Sequence, residues 1–171
     1  LETESEVKRR NINSYAKFLG WGQGSDGHNV AISHPEGRGL QSAMRNALKD
    51  ARLSPAEIDY VNAHAPSTTI GDASEMKALK KTFPLPQEVL VSSTKPLTGH
   101  GLSLSSIMEA AFCCVSLKDQ FLPGSAHVKN PDPELGHLKL LRESKDYPVN
   151  RIMSNSSGFG GANVSLVFEK V

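Results

Sequence analysis

The sequence has little that would indicate a membrane, a secretory route or nucleic acid. It contains no apolar run long enough to span a bilayer, and its start lacks a signal-peptide pattern. The net charge is only +1, which gives no electrostatic argument for a nucleic-acid or membrane-surface partner. The two cysteines, Cys113 and Cys114, are adjacent in an apolar helical run. We interpret them as buried structural thiols of a reduced, cytoplasmic protein.

Common binding motifs are missing as well. No spacing of Cys, His and Asp resembles a zinc site, and no Walker or dinucleotide fingerprint occurs. Low-complexity segments and short-period repeats are absent. What remains is the composition of a globular domain, with 171 residues of which 38% are hydrophobic and 22% charged. Such a chain can bury one core.

Helical and strand patterns alternate along the chain. Apolar residues and caps predict helices over residues 39–51, 72–82 and 102–119. Short apolar or alternating runs predict strands over 14–19, 58–62, 89–93, 138–141, 151–154 and 162–168. The alternation predicts an α/β fold, with a sheet that carries helices on its faces.

The segments between and within these elements carry further expectations. The glycines at 20, 22, 24 and 27 predict a loop. Ser54 to Glu57 read as the capped start of a short helix. The prolines of 83–88 predict a connection, and the charged residues 6–10 are expected to face solvent. Since helix 102–119 is apolar almost all round, we expect it to be central and buried.

Two histidines follow predicted strands. His64 lies just after strand 58–62, and His100 follows strand 89–93. A lone histidine is most often a hydrogen-bonded structural residue. Because both precede helices, however, their loops could share one rim, where two neutral imidazoles can donate to an oxygen that becomes anionic. The other histidines lack such a setting and are interpreted as surface or loop residues: His28, His34, His127 and His137.

A cation and two carboxylates accompany these histidines. Lys95 is either a solvated surface lysine or a buried ammonium beside Asp72 or Glu109. Glu109 lies in the middle of an apolar helix, where a carboxylate needs a partner, and Lys95 is the obvious candidate. A buried pair would also bias the nearby imidazoles toward the neutral state.

A glycine-rich loop, residues 155–161, lies between the last two predicted strands. Gly158, Gly160 and Gly161 surround Phe159, and such a run lets backbone N–H groups face a ligand closely. The alternative is an ordinary flexible loop.

Three stretches, in this order, resemble the C-terminal half of the β-ketoacyl-ACP synthases of classes I and II. They read VNAHAPSTTIGDASEMKAL, then SSTKPLTGH followed by Glu109, then SNSSGFGGANVSLVF. The resemblance covers essentially the whole chain. It implies one domain, residues 1–171, with the thiolase-like αβαβα fold, in which residues 1–12 are the tail of a preceding lobe.

The resemblance also implies an activity, the decarboxylative Claisen condensation of an acyl thioester with malonyl-ACP in fatty-acid or polyketide synthesis. His64 and His100 would assist decarboxylation. Lys95 would act with them, supported by Glu109 and Asp72. The nucleophilic cysteine of this family lies in the N-terminal half, so this chain alone would be inactive.

Substrate contacts and partners follow from the same resemblance. Thr68 would contact the phosphopantetheine arm, and the Ser157 N–H would form half of an oxyanion hole in a gate loop with Gly158 and Phe159. The chain would need no cofactor of its own, since the acyl carrier protein brings the arm. Its partners would be the N-terminal half, the carrier protein and a second subunit in a homodimer or a ketosynthase heterodimer.

The chain departs from the family pattern at the site. The family reads His-Gly-Thr where this chain has His64-Ala65-Pro66, which removes a hydroxyl and an N–H. Ser157 replaces a gate phenylalanine, and Ser103 to Ser106 replace Gly-Ala-Ala-Gly. Two alternatives to the catalytic lobe remain, and the changes at His64 and Ser157 motivate the first. One is a non-catalytic partner like a chain-length factor, and the other is a thiolase-fold relative with different chemistry.

Overall fold

The computed structural model describes residues 1–86 and 89–171 and places six strands in one mixed sheet. The strand order is β1-β8-β7-β2-β3-β5, and β4 and β6 form a separate two-stranded ribbon. β7, β2, β3 and β5 run parallel, whereas β8 and β1 are antiparallel to their neighbours. The strands are β1 Lys17–Ser25, β2 Tyr60–Asn62, β3 Leu90–Ser92, β4 Phe121–Leu122, β5 Lys139–Leu140, β6 Lys145–Asp146, β7 Arg151–Gly158 and β8 Ala162–Glu169.

Helices cover both faces of the sheet, as the alternating pattern predicts. The helices are α1 Glu4–Arg10, α2 Arg38–Ala51, α3 Thr69–Thr82, α4 Lys95–Thr98 and α5 Ser105–Asp119, with 3₁₀ turns at Pro55–Glu57, Leu102–Leu104, Pro133–Leu135 and Phe159–Gly161. α2 and α3 share one core cluster with Val61, and α5 shares the other with Tyr60. Neighbouring strand residues thus point to opposite cores.

Several boundaries differ from the predicted ones. α1, whose N-cap Thr3 accepts the Glu6 N–H, was not among the predicted helices. The first turn of the predicted helix 102–119 is 3₁₀, and α5 begins at Ser105. The capped turn at Ser54 is a 3₁₀ helix with a complete capping box. The connection predicted at 83–88 ends in residues 87 and 88, which lie outside the described residues. No helix in 1–86 or 89–171 has the length and apolarity to cross a membrane.

The predicted glycine loop is wrong, because Gly20, Gly22 and Gly24 lie inside β1. A Cβ at position 22 would stand 2.1 Å from the Ala43 carbonyl oxygen and 2.3 Å from the Ala47 nitrogen. The alternate glycines therefore let the backbone of α2 rest directly on β1, an approach that only a residue without Cβ permits. The glycines that look like a loop in the sequence therefore allow close packing of α2 on β1 in the fold.

We expect Gly22→Ala to destabilise the protein by about 3 kcal/mol, since the backbone of α2 cannot yield as a flexible side chain could. The matched control is Gly158→Ala, because a Cβ there would meet nothing within 4 Å and its φ of −141° suits any residue. Urea denaturation midpoints measure both. Equal effects of the two substitutions would contradict the packing account.

α5 is not buried all round. Its inner side, including Cys113 and Leu117, packs on the sheet. The outer face of α5, defined here as its N-cap Leu104 together with Ile107, Ala111 and Val115, is exposed, with Ile107 66% accessible. The sheet offers only one surface for this apolar helix, so a second apolar face remains uncovered.

Candidate active site

The two histidines singled out in the sequence meet at one edge of the sheet. His64 follows β2 by two residues, and His100 follows the short helix α4 that leaves β3. Because β2 and β3 are parallel neighbours, their carboxyl ends open onto the same edge. The imidazole centroids lie 5.4 Å apart, with ring planes at 82°. The sheet topology therefore brings together two loops that are far apart in sequence.

Glu75 of α3 anchors the backbone of the loop that contains His64 and Ala65. Its buried carboxylate accepts the His64 N–H at 3.0 Å and the Ala65 N–H at 2.8 Å. The Asn155 amide adds a longer contact at 3.4 Å. Burial raises the pKa of Glu75, and the two backbone donors oppose that rise. Glu75 therefore sets the backbone position of His64.

The pKa of His64 is lowered to about 3, mainly by burial and then by the charge of Lys95 and the nearby His100. The ring is therefore neutral at pH 7. Its Nδ1 is buried and has no hydrogen-bond partner in the described part of the chain. Since protonation favours the unfolded state, where the pKa is ordinary, His64 makes stability fall as the pH drops below about 6.5.

The hydrogen bonds of His100 fix its tautomer. The Leu102 N–H donates to its Nδ1 at 3.3 Å, and the Ser105 hydroxyl lies 2.8 Å from the same atom. Because Nδ1 accepts, the ring proton resides on Nε2. Ser105 is one of the serines that replace small residues in the related motif, and it orients this ring.

Lys95 is buried and pairs with Glu109. Their side chains are only 4% and 0% exposed, and Nζ contacts Oε1 directly. Burial raises the pKa of Glu109, whereas the bond to Lys95 lowers it. Oε2 of Glu109 is buried without a donor among the described residues. Of the two carboxylates proposed from the sequence, Glu109 is thus the direct partner.

Asp72 has a different contact. Its carboxylate accepts the Thr68 N–H at 3.2 Å, so it ties the start of α3 to the loop that follows His64. Burial raises its pKa, and the backbone donors and the charge of Lys95 oppose the rise. Thr68 itself is exposed at the N-cap of α3. It lines a cavity of about 440 Å³ together with Asp72 and Glu75.

The predicted gate loop is mostly strand. β7 continues past Ser154, the partner of Asn62, and ends at Gly158. The Ser157 hydroxyl donates to Asn163 at 2.7 Å, and Phe159 is 76% exposed.

Only part of the glycine run is available for a ligand. Gly160 donates its N–H to the Val30 carbonyl at 2.6 Å, so this amide is not free to face a ligand. Gly158 and Gly160 have no atoms within 4 Å of a Cβ position, so the rim beside Phe159 is open.

Two other predictions concern the cysteines and metals. Cys113 is buried and Cys114 half-buried, and burial raises the pKa of both thiols. In the described residues, 1–86 and 89–171, no group of three His, Cys, Asp or Glu side chains is placed to hold a metal ion.

Comparison with known proteins gives consistent matches. The model of the family "Beta-ketoacyl synthase, C-terminal domain" matches residues 15–129. The chain is 39% identical over 171 residues to 3-oxoacyl-[acyl-carrier-protein] synthase 2 of Staphylococcus aureus (strain COL), and the match covers 99% of this chain and 41% of that protein. The chain therefore spans about two fifths of the length of this relative.

Solved structures agree. A ketosynthase bound to the hexaketide, in complex with its type II polyketide synthase acyl carrier protein, matches with a TM-score of 0.94 and 26% identity, over 99% of this chain and 42% of that one. A ketosynthase in complex with its chain length factor from Xenorhabdus doucetiae matches with a TM-score of 0.85 and 35% identity, over 94% and 40%. The predicted fold, a thiolase-like C-terminal lobe, is confirmed.

Proposed function

The chain belongs to the family of β-ketoacyl synthase C-terminal domains, and from this premise we propose that it is the histidine-bearing half of a condensing enzyme. The reaction joins an acyl thioester to the carbanion that malonyl-ACP yields on losing CO2. The histidine pair supports this proposal most strongly, because the two rings converge 5.4 Å apart beside a buried lysine.

The chemistry that this pair serves is charge stabilisation. When the bond between the malonyl α-carbon and its carboxylate breaks, CO2 leaves and the electron pair moves toward the thioester oxygen. Nε2–H groups of His64 and His100 donate to that oxygen as it becomes an enolate. Preorganised donors in a partly buried site stabilise such charge without reorganisation. The carbanion then attacks the acyl thioester, and the cysteine thiolate is the leaving group.

Lys95 does not contact the substrate in this proposal but acts through its charge on His64. Burial lowers the pKa of His64 and the charge of Lys95 lowers it further, so the ring stays neutral. A neutral ring is the form that keeps one nitrogen free of a proton and the other a donor. Glu109 fixes the ammonium, while Glu75 and Asp72 fix the loop after His64.

The substrate arm would enter past Thr68. In this proposal the Thr68 hydroxyl contacts phosphopantetheine, which the acyl carrier protein carries, and the protein needs no cofactor of its own. The Ser157 N–H is half of the oxyanion hole for the acyl thioester. Pro66 offers neither hydroxyl nor N–H, so the arm has one contact fewer. The small Ser157 side chain beside the open rim leaves a wide entrance.

The rest of the enzyme would cover the outer face of α5. This face exposes Leu104, Ile107 and Val115 to 58%, 66% and 44%. A contiguous exposed apolar patch is typical of an interface. We assign it to an N-terminal half that supplies the nucleophile, since Cys113 is buried and its thiol pKa is raised. The chain alone is then inactive, and the complete protein forms a homodimer or a ketosynthase heterodimer.

Two observations favour a second candidate, a non-catalytic partner like a chain-length factor. Pro66 and Ser157 depart from the family pattern at positions proposed to face the substrate, and two similar solved ketosynthases are paired with chain length factors. The residue at the nucleophile position of the N-terminal half distinguishes the two candidates. A cysteine there is expected for the enzyme, and glutamine or another residue for the partner.

The test is a reconstituted assay of the complete gene product with acyl-ACP and malonyl-ACP. We expect CO2 release together with a 3-oxoacyl product detected by mass spectrometry. Absence of both from a folded, dimeric protein would contradict the catalytic proposal. Product formation that requires an added ketosynthase subunit would favour the partner.

A further inference from the structure

A second cavity, of about 220 Å³, opens beside the end of β5. It lies between the segment that follows β4 and the segment that follows β5, whose neighbour in the sheet is β3. Its lining residues are Ser125, His127, Val128, Lys129, Arg142 and Glu143. Three of these side chains can carry positive charge and one carries negative charge.

The cationic groups of this cavity are free to bind a ligand. Arg142 uses only Nε, which donates to the Val128 carbonyl at 3.1 Å. Its terminal amino groups and the Lys129 ammonium have no hydrogen-bond or ion-pair partner in the described portion of the chain. Arg142 and Lys129 are both exposed, and the carbonyl contact leaves the two terminal amino groups of the guanidinium available to an incoming oxyanion.

The walls of the cavity are fixed to each other. The Ser125 N–H donates to the Leu141 carbonyl at 2.8 Å, and the Gly124 N–H donates to the Ser144 hydroxyl at 3.0 Å. A Cβ at Gly124 would stand 2.5 Å from the Glu143 carbonyl carbon, so the two segments touch backbone to backbone. His127 is held at a φ of +65° on the rim. The two backbone segments that carry the cationic side chains are therefore joined before any ligand binds.

We propose that this pocket binds a phosphate-type oxyanion. A guanidinium fork matches two oxygens of a phosphate, and a lysine adds a point charge. His127 can supply a third donor from the rim. Glu143 is the one carboxylate in the lining, and it limits the affinity because it repels the same anion.

Two hydrogen bonds through Ser93 connect the pocket to the candidate active site. The Ser93 N–H donates to the buried Ser125 hydroxyl at 3.0 Å, and the Ser93 hydroxyl donates to the Ala65 carbonyl at 3.3 Å. Ala65 follows His64 directly. An anion in the pocket would thus lie at the edge of the sheet where the histidines are, although its binding does not depend on the proposed condensation.

The experiment titrates the complete gene product with sodium phosphate at constant ionic strength and follows binding by calorimetry. Arg142→Gln should weaken the affinity about tenfold, the effect of one charged hydrogen bond. Glu143→Gln should tighten it. Arg45→Gln is the matched control, an exposed arginine on α2 that should leave the affinity unchanged. No saturable binding, or equal affinities in wild type and Arg142→Gln, would overturn the inference.

A parallel titration with 4′-phosphopantetheine separates two sources of the phosphoryl group. Displacement of bound phosphate by this compound would identify the carrier-borne arm, and phosphate binding alone would identify the free anion. Both responses should weaken in Arg142→Gln. Loss of phosphate binding with condensation intact would refute only this pocket, because the two readouts are independent.

Discussion

Lys95→Met should lower the free energy of unfolding by about 3–5 kcal/mol, the cost of leaving one partner of a buried ion pair alone. Glu109 is fully buried, and its second oxygen already lacks a donor among the described residues. Without the ammonium the carboxyl must take up a proton or remain charged in a low-dielectric site. Urea denaturation of the complete protein measures the loss.

The matched double variant, Lys95→Met with Glu109→Leu, should recover most of this stability. Replacing both charges by apolar groups removes the unpaired carboxylate, and such exchanges are often neutral. It should recover less activity than stability, because the double variant still lacks the positive charge that Lys95 places near His64. A single variant that costs less than about 1 kcal/mol, or a double variant no better than the single, would show that the pair is not buried as described.

His100→Ala should reduce the decarboxylation of malonyl-ACP by about 10²- to 10³-fold, the usual effect of removing one donor to a developing oxyanion. The rate of CO2 release from malonyl-ACP isolates this step. The KM for malonyl-ACP should change much less, because the lost hydrogen bond strengthens only as the enolate forms.

Two further variants separate the donor role from a structural one. His100→Gln retains an N–H donor of similar reach and should keep more activity than His100→Ala. His28→Ala removes an exposed histidine from another loop and should leave the rate unchanged. Equal rates for wild type and His100→Ala would remove His100 from the mechanism.

Much of the site could be predicted from the sequence, because the order of the motifs follows the strands. His64 and His100 each follow a short apolar run, and parallel strands deliver their ends to one edge. A buried partner for Glu109 could be predicted, because an unpaired carboxylate among apolar helical residues is costly to bury. Those inferences rest on local chemistry, which a sequence displays directly.

Other features depend on contacts that no local pattern displays. Gly20, Gly22 and Gly24 are typical of a loop, and only the approach of α2 explains why they lie in a strand. Glu75 resembles a surface residue of a helix, yet α3 places it under His64. The sequence signal that could have indicated this buried role was the position of Glu75, three residues after Asp72 and next to apolar Met76.

α5 shows a third reason why a prediction from sequence can fail. An all-round apolar helix predicts burial, but burial requires a second surface, and the described residues cover only one side. The prediction of a helix buried all round was wrong for the described residues. The same exposed face supports the proposed N-terminal half.

The measurement that tests the account most directly is ¹⁵N NMR of the imidazoles in the complete protein across a pH titration. We expect His64 to stay neutral from pH 8 to below pH 5, consistent with a pKa of about 3. His100 should show an unprotonated Nδ1 and a protonated Nε2 at pH 7. If His64 instead titrates near the ordinary value of about 6.5, or His100 carries its proton on Nδ1, the lysine-backed donor pair does not exist as described.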